Sequence, residues 1–268
     1  MGVSAFPVAA AWVDGVMAFS RASWLAVLVG IALWPEVTLA YRPFDGTDAA
    51  VADVGELEIE LQPAGARWTN EQKTLIAPAT VINYGFAKNW ELVLETQLET
   101  PLSPSGTSNL TSSGVFLKHV LRPGALQDQP GPSIATEFGV LLPDTVGPSG
   151  TGFSVAGIVS QRWDWGTAHL NIQGELTRNQ NADVFTSLIL EGPSKWTVRP
   201  VAEFAYEEEF GHAHTASALI GAIWQVRDTL AFDVAFRRAS TNGVHANEVR
   251  AGLTFGFSVT ALSRPSLK

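Results

Sequence analysis

The chain has 268 residues, 46% hydrophobic and only 16% charged, with 24 Gly, 15 Pro, 9 Trp and no Cys. A formal net charge of −9, unrelieved by any long Lys/Arg block, argues against a nucleic-acid partner. The absence of cysteine excludes disulfide scaffolds, thiol catalysis and cysteine-ligated metal.

The first forty residues differ from the rest. Arg21 precedes the unbroken apolar run WLAVLVGIALW at residues 24–34, followed by Pro35 and then Thr38-Leu39-Ala40 before Tyr41. These 11 apolar residues are too few for a helix across the membrane, which needs about 20. A positive residue, a short apolar core and a small-residue exit are the parts of a secretory signal peptide, expected over residues 1–40 with Met17 as a conventional alternative start. No later stretch offers 18 consecutive apolar residues. A mature chain in a membrane would therefore have to cross it as a closed barrel, the other architecture that satisfies its backbone there.

From Gly55 onward the hydrophobic period is two, the period of a strand. The opening strand, VGELEIELQ at residues 54–62, sets Leu57, Ile59 and Leu61 against Glu56, Glu58 and Glu60. Residues 90–99 repeat it, with Trp90, Leu92, Leu94 and Leu98 opposite Glu91, Glu95, Gln97 and Glu99. Residues 167–177 oppose Leu170, Ile172 and Leu176 to His169, Asn171, Gln173 and Glu175. Phe232, Val234 and Phe236 alternate with Asp233 and Arg237, and Val249, Leu253, Phe255 and Phe257 with Glu248, Arg250 and Thr254.

Seven further segments are strand-like with less regular alternation: 74–84, 111–121, 133–142, 152–162, 183–190, 197–206 and 215–226. The total is about twelve strands of about ten residues, the length of a tilted membrane-spanning strand of about 9–11. Connections after odd strands read as polar and mostly long (63–73, 100–110, 143–151, 178–182, 207–214, 238–246). Those after even strands read as mostly tight, the stretch PGALQDQPGP at 123–132 excepted. Short turns on one side and longer loops on the other are the habit of outer-membrane barrels. Aromatic residues such as Trp68, Tyr84, Trp90, Trp163, Trp165, Trp196 and Trp224 flank the segments, where an interfacial girdle would lie. A soluble β-sandwich capped by aromatics is the competing reading.

The run RPFDGTDAA at residues 42–50, the strand ELEIEL and the segment INYGFAKNWELVLE at 82–95 together resemble bacterial outer-membrane barrels of the type encoded beside phenol meta-cleavage pathway genes. Many relatives of that type are described only as transporters, and the similarity extends over most of residues 42–257. The resemblance implies an outer-membrane location and passage of small organic solutes, and supplies no catalytic residues. Such barrels usually finish on a C-terminal aromatic, whereas here Phe257 is followed by residues 258–268.

The fold expected is all-β: an antiparallel up-and-down transmembrane β-barrel of about 12 strands, within a range of about 10–14. Its parts are a signal peptide (1–40), an N-terminal periplasmic segment (41–53), the barrel (54–257) and a C-terminal tail (258–268). The polar faces would then line a lumen. Its acidic candidates are Glu56, Glu58, Glu60, Glu91, Glu95, Glu99, Glu137, Glu175, Glu203, Asp233 and Glu248, and its cations Lys118, Arg122, Arg162, Arg199, Arg237 and Arg250. Closure would bring Arg250 near the glutamates of the opening strand.

Acidic rings favour cations, so a cation-favouring or polar-solute pore is one reading and a lumen filled by Glu–Arg networks the other. Twelve strands lie between the roughly eight that side chains fill and the 16–18 of open porins. His212 and His214 beside Glu207–Glu209 form a weak metal candidate, more simply an acidic loop tip, and no cofactor is expected. No GxSxG, HExxH, Walker or GxGxxG motif appears, so no catalytic residue is assigned. His119 on the apolar face is the one place an outer-membrane lipid-modifying enzyme would keep a histidine. The function expected is passive or facilitated passage of small solutes, aromatic or hydrophobic ones among them, with a closed structural or adhesion barrel acting through its outside loops as alternative. The partners expected are outer-membrane lipid, a small organic solute and the outer-membrane assembly machinery.

Overall fold

A computed structural model describes residues 42–259, so the expected signal peptide and all but the start of the expected tail lie outside the described residues. Twelve strands follow in order: β1 (Glu56–Trp68), β2 (Lys73–Ala87), β3 (Trp90–Ser103), β4 (Asn109–Arg122), β5 (Ser133–Leu141), β6 (Gly152–Trp163), β7 (Gly166–Leu176), β8 (Ala182–Glu191), β9 (Val198–Glu209), β10 (Ala213–Arg227), β11 (Leu230–Thr241) and β12 (Val244–Ser258). Each pairs antiparallel with its neighbours, and β12 pairs with β1 over Glu56↔Ser258 to Trp68↔Asn247, closing the barrel. Closure leaves no unpaired edge, so every ladder hydrogen bond is satisfied within the wall. The all-β, closed, twelve-stranded architecture expected from the period-two pattern is the one present.

Alternation decides which side chains face inward. Glu60, Gln62, Glu91, Lys118, His169, Glu203, Asp233 and Glu248 are buried inside. Leu94, Val115, Leu170, Ile172, Phe204, Ile220, Val234 and Val249 stand exposed on the outer surface. Such inverted polarity is unstable in water and suited to hydrocarbon. Trp90, Trp163, Trp165, Trp196 and Trp224 gather at one end, where β1 begins and β12 finishes; we call this the terminal end and the opposite one the far end. Trp163 and Trp165 stack there at 5.1 Å.

The contrast between long and tight connections is weaker than expected. Most strands run 12–15 residues and continue in register through segments expected as loops. Thus β1 carries on through Pro63 by a bulge between Leu61 and Ala64, the usual accommodation of a residue with no N–H to donate. The expected loop 238–246 is a two-residue hairpin, Asn242-Gly243, with φ of 48° and 83°. Left-handed conformation at both positions matches the twist of the flanking strands and suits Asn-Gly. The longest connections are 123–132 at the terminal end, which holds a 3-10 turn (Ala125–Gln127), and 142–151 at the far end.

Candidate functional site

The interior is organised by the segment before β1. Residues 42–53 form no strand, and their backbone N–H groups must still find acceptors away from water. They find them on the wall. Ala52 N donates to Glu91 (2.5 Å) on β3, Ala49 N to Ser160 Oγ (2.9 Å) on β6 and Thr47 N to Asn171 (3.0 Å) on β7. Gly46 N and Asp45 N both donate to the carboxylate of Glu203 on β9, each at 2.8 Å. The segment therefore follows the inner wall from β3 to β9 as an internal plug.

Ion pairs complete the circuit. Lys118 Nζ lies 3.3 Å from Asp48, with side-chain exposures of 6% and 10%. Asp45 receives Arg237 Nε at 2.6 Å and Arg250 Nη2 at 2.7 Å. Arg250 also donates to the carbonyl of Pro43 and to Glu248. Arg42 reaches Asp233 (3.4 Å) on β11 and Gln62 (2.5 Å) on β1. Closure is expected to bring Arg250 near the glutamates of β1; it pairs with the plug and with Glu248 of its own strand. Burial pushes the Asp45 carboxyl up, but Arg250 and Arg237 outweigh it and hold it below its ordinary range.

Two apolar contacts seat the plug as well. Phe44 packs on the cluster Val201, Ile223 and Ala231, and Ala49 joins Ala135, Ala156 and Ile158. Elsewhere the plug approaches the wall where side chains are missing. A Cβ on Gly46 would collide with Ser187 Oγ, one on Gly85 with the carbonyls of Ala52 and Asp53, and one on Gly252 with Arg42 and Asp233. Ser160 belongs to a relay: His169 Nδ1 lies 2.8 Å from Ser160 Oγ and Nε2 3.0 Å from Glu191. The Glu191 carboxylate can only accept, so Nε2 carries a proton; in the neutral ring Nδ1 then accepts from the Ser160 hydroxyl.

A cavity of about 930 Å³ runs beside the plug, from Arg162, Ser194 and Asp228 at the terminal end to Glu175 toward the far end. Glu56, Glu58, Glu60, Glu91, Glu95, Glu137 and Glu175 line it, with Arg162, Arg199, Arg42 and Lys118 as its cations. Lys118 is committed to Asp48, Arg42 to Asp233, and Arg199 to Glu191 at 3.4 Å. On β11 and β12, by contrast, Asp233, Arg237 and Arg250 are engaged by the plug's own ion pairs. An apolar patch of Val81, Val93, Phe116 and Leu141 interrupts the acidic wall. The Phe116 ring reaches over Gly114, where a Cβ would meet Cε2 and Cζ, and touches Gly139, where a Cβ would meet Cδ1 as well as the Val115 carbonyl.

Of the lumen candidates, Glu99 pairs with Arg67 (2.6 Å), and Glu203, Asp233, Arg237, Glu248 and Arg250 gather around the plug. Arg122 does not reach the lumen. It donates to the carbonyls of Pro130 and Pro132 and pins the 123–132 connection, because a bulge between Val120 and Arg122 turns its side chain away. The sequence reading put His169 and Asn171 on a polar face but missed the plug and its seats, Gln62, Asn171 and Ser160 among them. His119 faces outward, stacked on Trp90 at 4.1 Å with Nδ1 2.9 Å from the carbonyl of Asn89. Its other cross-strand neighbour is Thr136, whose hydroxyl donates to Ala156 O, so no activated nucleophile stands beside it. Among the described residues no group of three or more acidic or histidine side chains has the geometry to hold a metal ion, the tip with His212 and His214 included.

No family model and no curated protein matches the chain. Solved structures do. An outer membrane channel from Pseudomonas putida F1 superposes with a TM-score of 0.58 at 8% identity, over 80% of this chain and 100% of that one. A KdgM porin gives 0.52 at 9% identity over 75% and 99% of the two chains, and a NanC porin 0.52 at 8% over 74% and 98%. At such identities the likeness is one of fold.

Proposed function

We propose that the chain is an outer-membrane channel for small solutes whose lumen is narrowed by its own N-terminal segment, leaving a path along the acidic wall. The observation that carries this reading is the cavity beside the plug, with eight glutamates on its wall, Glu191 included, and its cations largely engaged in ion pairs. An outer surface of exposed aliphatic and aromatic side chains supports the membrane location. The fold shared with porins and an outer membrane channel agrees with it.

Carboxylates held at close quarters in a narrow lumen attract cations and repel anions. The apolar patch around Phe116 adds a surface for a ring or short alkyl group, and an aromatic face attracts a cation as well. The solute class favoured is therefore a small organic cation with an aromatic or apolar part. This narrows the expectation drawn from the resemblance to barrels of phenol-degrading gene clusters. A KdgM porin has been solved with disordered oligogalacturonate, a polyanion that the acidic wall here would disfavour.

Full-length protein in planar bilayers under a KCl gradient tests the reading. We expect discrete conductance with a reversal potential on the cation-selective side. Glu58→Gln with Glu95→Gln should reduce that preference several-fold, because neither carboxylate is assigned to the plug's ion pairs. A folded, inserted barrel that stays silent would sink the transport reading in favour of a closed structural barrel.

A further inference from the structure

Four residues on neighbouring strands form one row on the outer surface near the far end. Arg238 on β11 pairs with Asn247 on β12, Asn247 with Trp68 on β1, and Trp68 with Lys73 on β2. Directly paired residues point to the same face, and this face is the outer one, since the next partners along are Phe236 with Val249 and Val249 with Ala66. At about 4.8 Å per strand, Arg238 and Lys73 stand roughly 14 Å apart along the sheet.

Both cations are exposed, and both lie where the apolar belt ends. Arg238 Nη1 donates to Asn247 Oδ1 at 3.1 Å, and no other interaction engages its guanidinium among the described residues. Lys73 has no side-chain partner among them. Below the row Trp68 packs against Phe236 with ring centroids 6.5 Å apart, and the exposed Val249 lies beside them. Unpaired cations over an aromatic and aliphatic floor match, group by group, a ligand with phosphate above and acyl chains below. Asn247 and the Trp68 indole supply neutral hydrogen-bonding groups between the two charges.

We propose that Lys73, Trp68, Asn247 and Arg238 form an exterior site for the phosphorylated sugar headgroup of an outer-leaflet glycolipid, of which lipid A is the representative. The inference rests on the outer-membrane reading above, with the far end facing outward. Asn247 holds the Arg238 fork above the membrane boundary, Lys73 receives a second phosphate, and the Trp68–Phe236 pair covers the first part of an acyl chain.

The test is native mass spectrometry of the full-length, detergent-solubilised barrel, after heat-modifiable gel mobility and insertion into liposomes have been verified. Bisphosphorylated lipid A should be retained in preference to its dephosphorylated form and to phosphatidylglycerol. The double variant Lys73→Ala/Arg238→Ala should lose that retention by about tenfold or more, as removal of both phosphate contacts requires. Arg238→Lys should keep part of it, and Arg227→Ala at the terminal end all of it. Retention unchanged in the double variant, phosphatidylglycerol held as well as lipid A, or displacement by inorganic phosphate at equal concentration would each overturn the site. A barrel that inserts and conducts but shows no preference refutes this inference alone, whereas one that fails to insert refutes the membrane reading with it.

Discussion

Asp45 Oδ1 lies 2.7 Å from Arg250 Nη2, joining two residues 205 positions apart and tying the plug to the last strand of the barrel. Arg237 grips the other oxygen of the same carboxylate at 2.6 Å. Asp45 is therefore the latch of the plug, shared by two guanidiniums, of which Arg250 also holds Glu248 and the carbonyl of Pro43.

Asp45→Asn should loosen that latch. The variant keeps the shape but leaves Arg237 without its carboxylate and Arg250 with Glu248 alone, a loss of about 1.5–3 kcal/mol for a charge-assisted contact. Single-channel records should show larger or more frequent open states than wild type, with the barrel still heat-modifiable on gels. Unchanged conductance would mean that the plug is held by its remaining contacts.

The same latch has a pH dependence whose sign is fixed. Asp45 in the native state is held below its ordinary 3.8, so its ion pairs contribute fully above that value and weaken only as pH falls through the lower native one. The part of the plug's hold that Asp45 supplies should stay constant from about pH 8 to 5 and be lost only below about pH 4. Asp45→Asn should lack this acid step. Bilayer recordings over that range would show it.

The plug's fit also depends on Gly46, which has no room for a Cβ between Ser187 and Asn171. Gly46→Val should displace residues 45–47 from Glu203 and Asn171, with a conductance approaching that of a chain lacking residues 42–53. The wall is untouched by this change, so thermal unfolding should shift little. A Gly46→Val barrel with wild-type conductance would show that this stretch does not limit flow.

How much of this was legible in the sequence varies by region. The clean strands announced themselves: Glu56, Glu58 and Glu60 alternate with leucine and isoleucine because one face meets polar lumen and the other does not. The less regular strands carry apolar residues on both faces, Ile158 and Ile223 among them, and both are buried inside against the plug. Their irregularity was the signal that something covers that part of the lumen. The plug itself has no period, and its partners lie up to 207 residues away, a separation that a single sequence does not reveal. Polar residues beyond the apolar belt, such as Arg238, suggested a loop, although the ladder continues to the Asn-Gly turn.

The Ser160 relay gives a prediction independent of conductance. Ser160→Val removes the acceptor of Ala49 N and leaves a buried donor unsatisfied, at about 1–3 kcal/mol. His169→Phe removes only the group behind the serine and keeps that acceptor. Hydrogen exchange at residues 47–52 should therefore accelerate markedly in the first variant and modestly in the second. Equal protection in all three proteins would separate the relay from the plug.

The seat of Phe116 offers the last test, of solute passage itself. Its ring lies on Gly114 and Gly139, so the lumen stays clear where an upright phenyl group would obstruct it. Gly114→Ala puts a methyl group against the ring, which yields more readily than backbone because it can turn about χ1 and χ2. We expect the ring to tilt toward the cavity, lowering conductance and the flux of small aromatic cations in liposome-swelling assays. Phe116→Ala alone should raise conductance while losing preference for aromatic over aliphatic cations. Gly114→Ala/Phe116→Ala should then conduct like Phe116→Ala, because without the ring the nearest group the added methyl meets is the far end of the Glu95 side chain, at 3.2 Å, which can yield. Strong non-additivity of that form identifies the ring as the obstacle, whereas additive losses would place the effect of Gly114→Ala in the wall of β4.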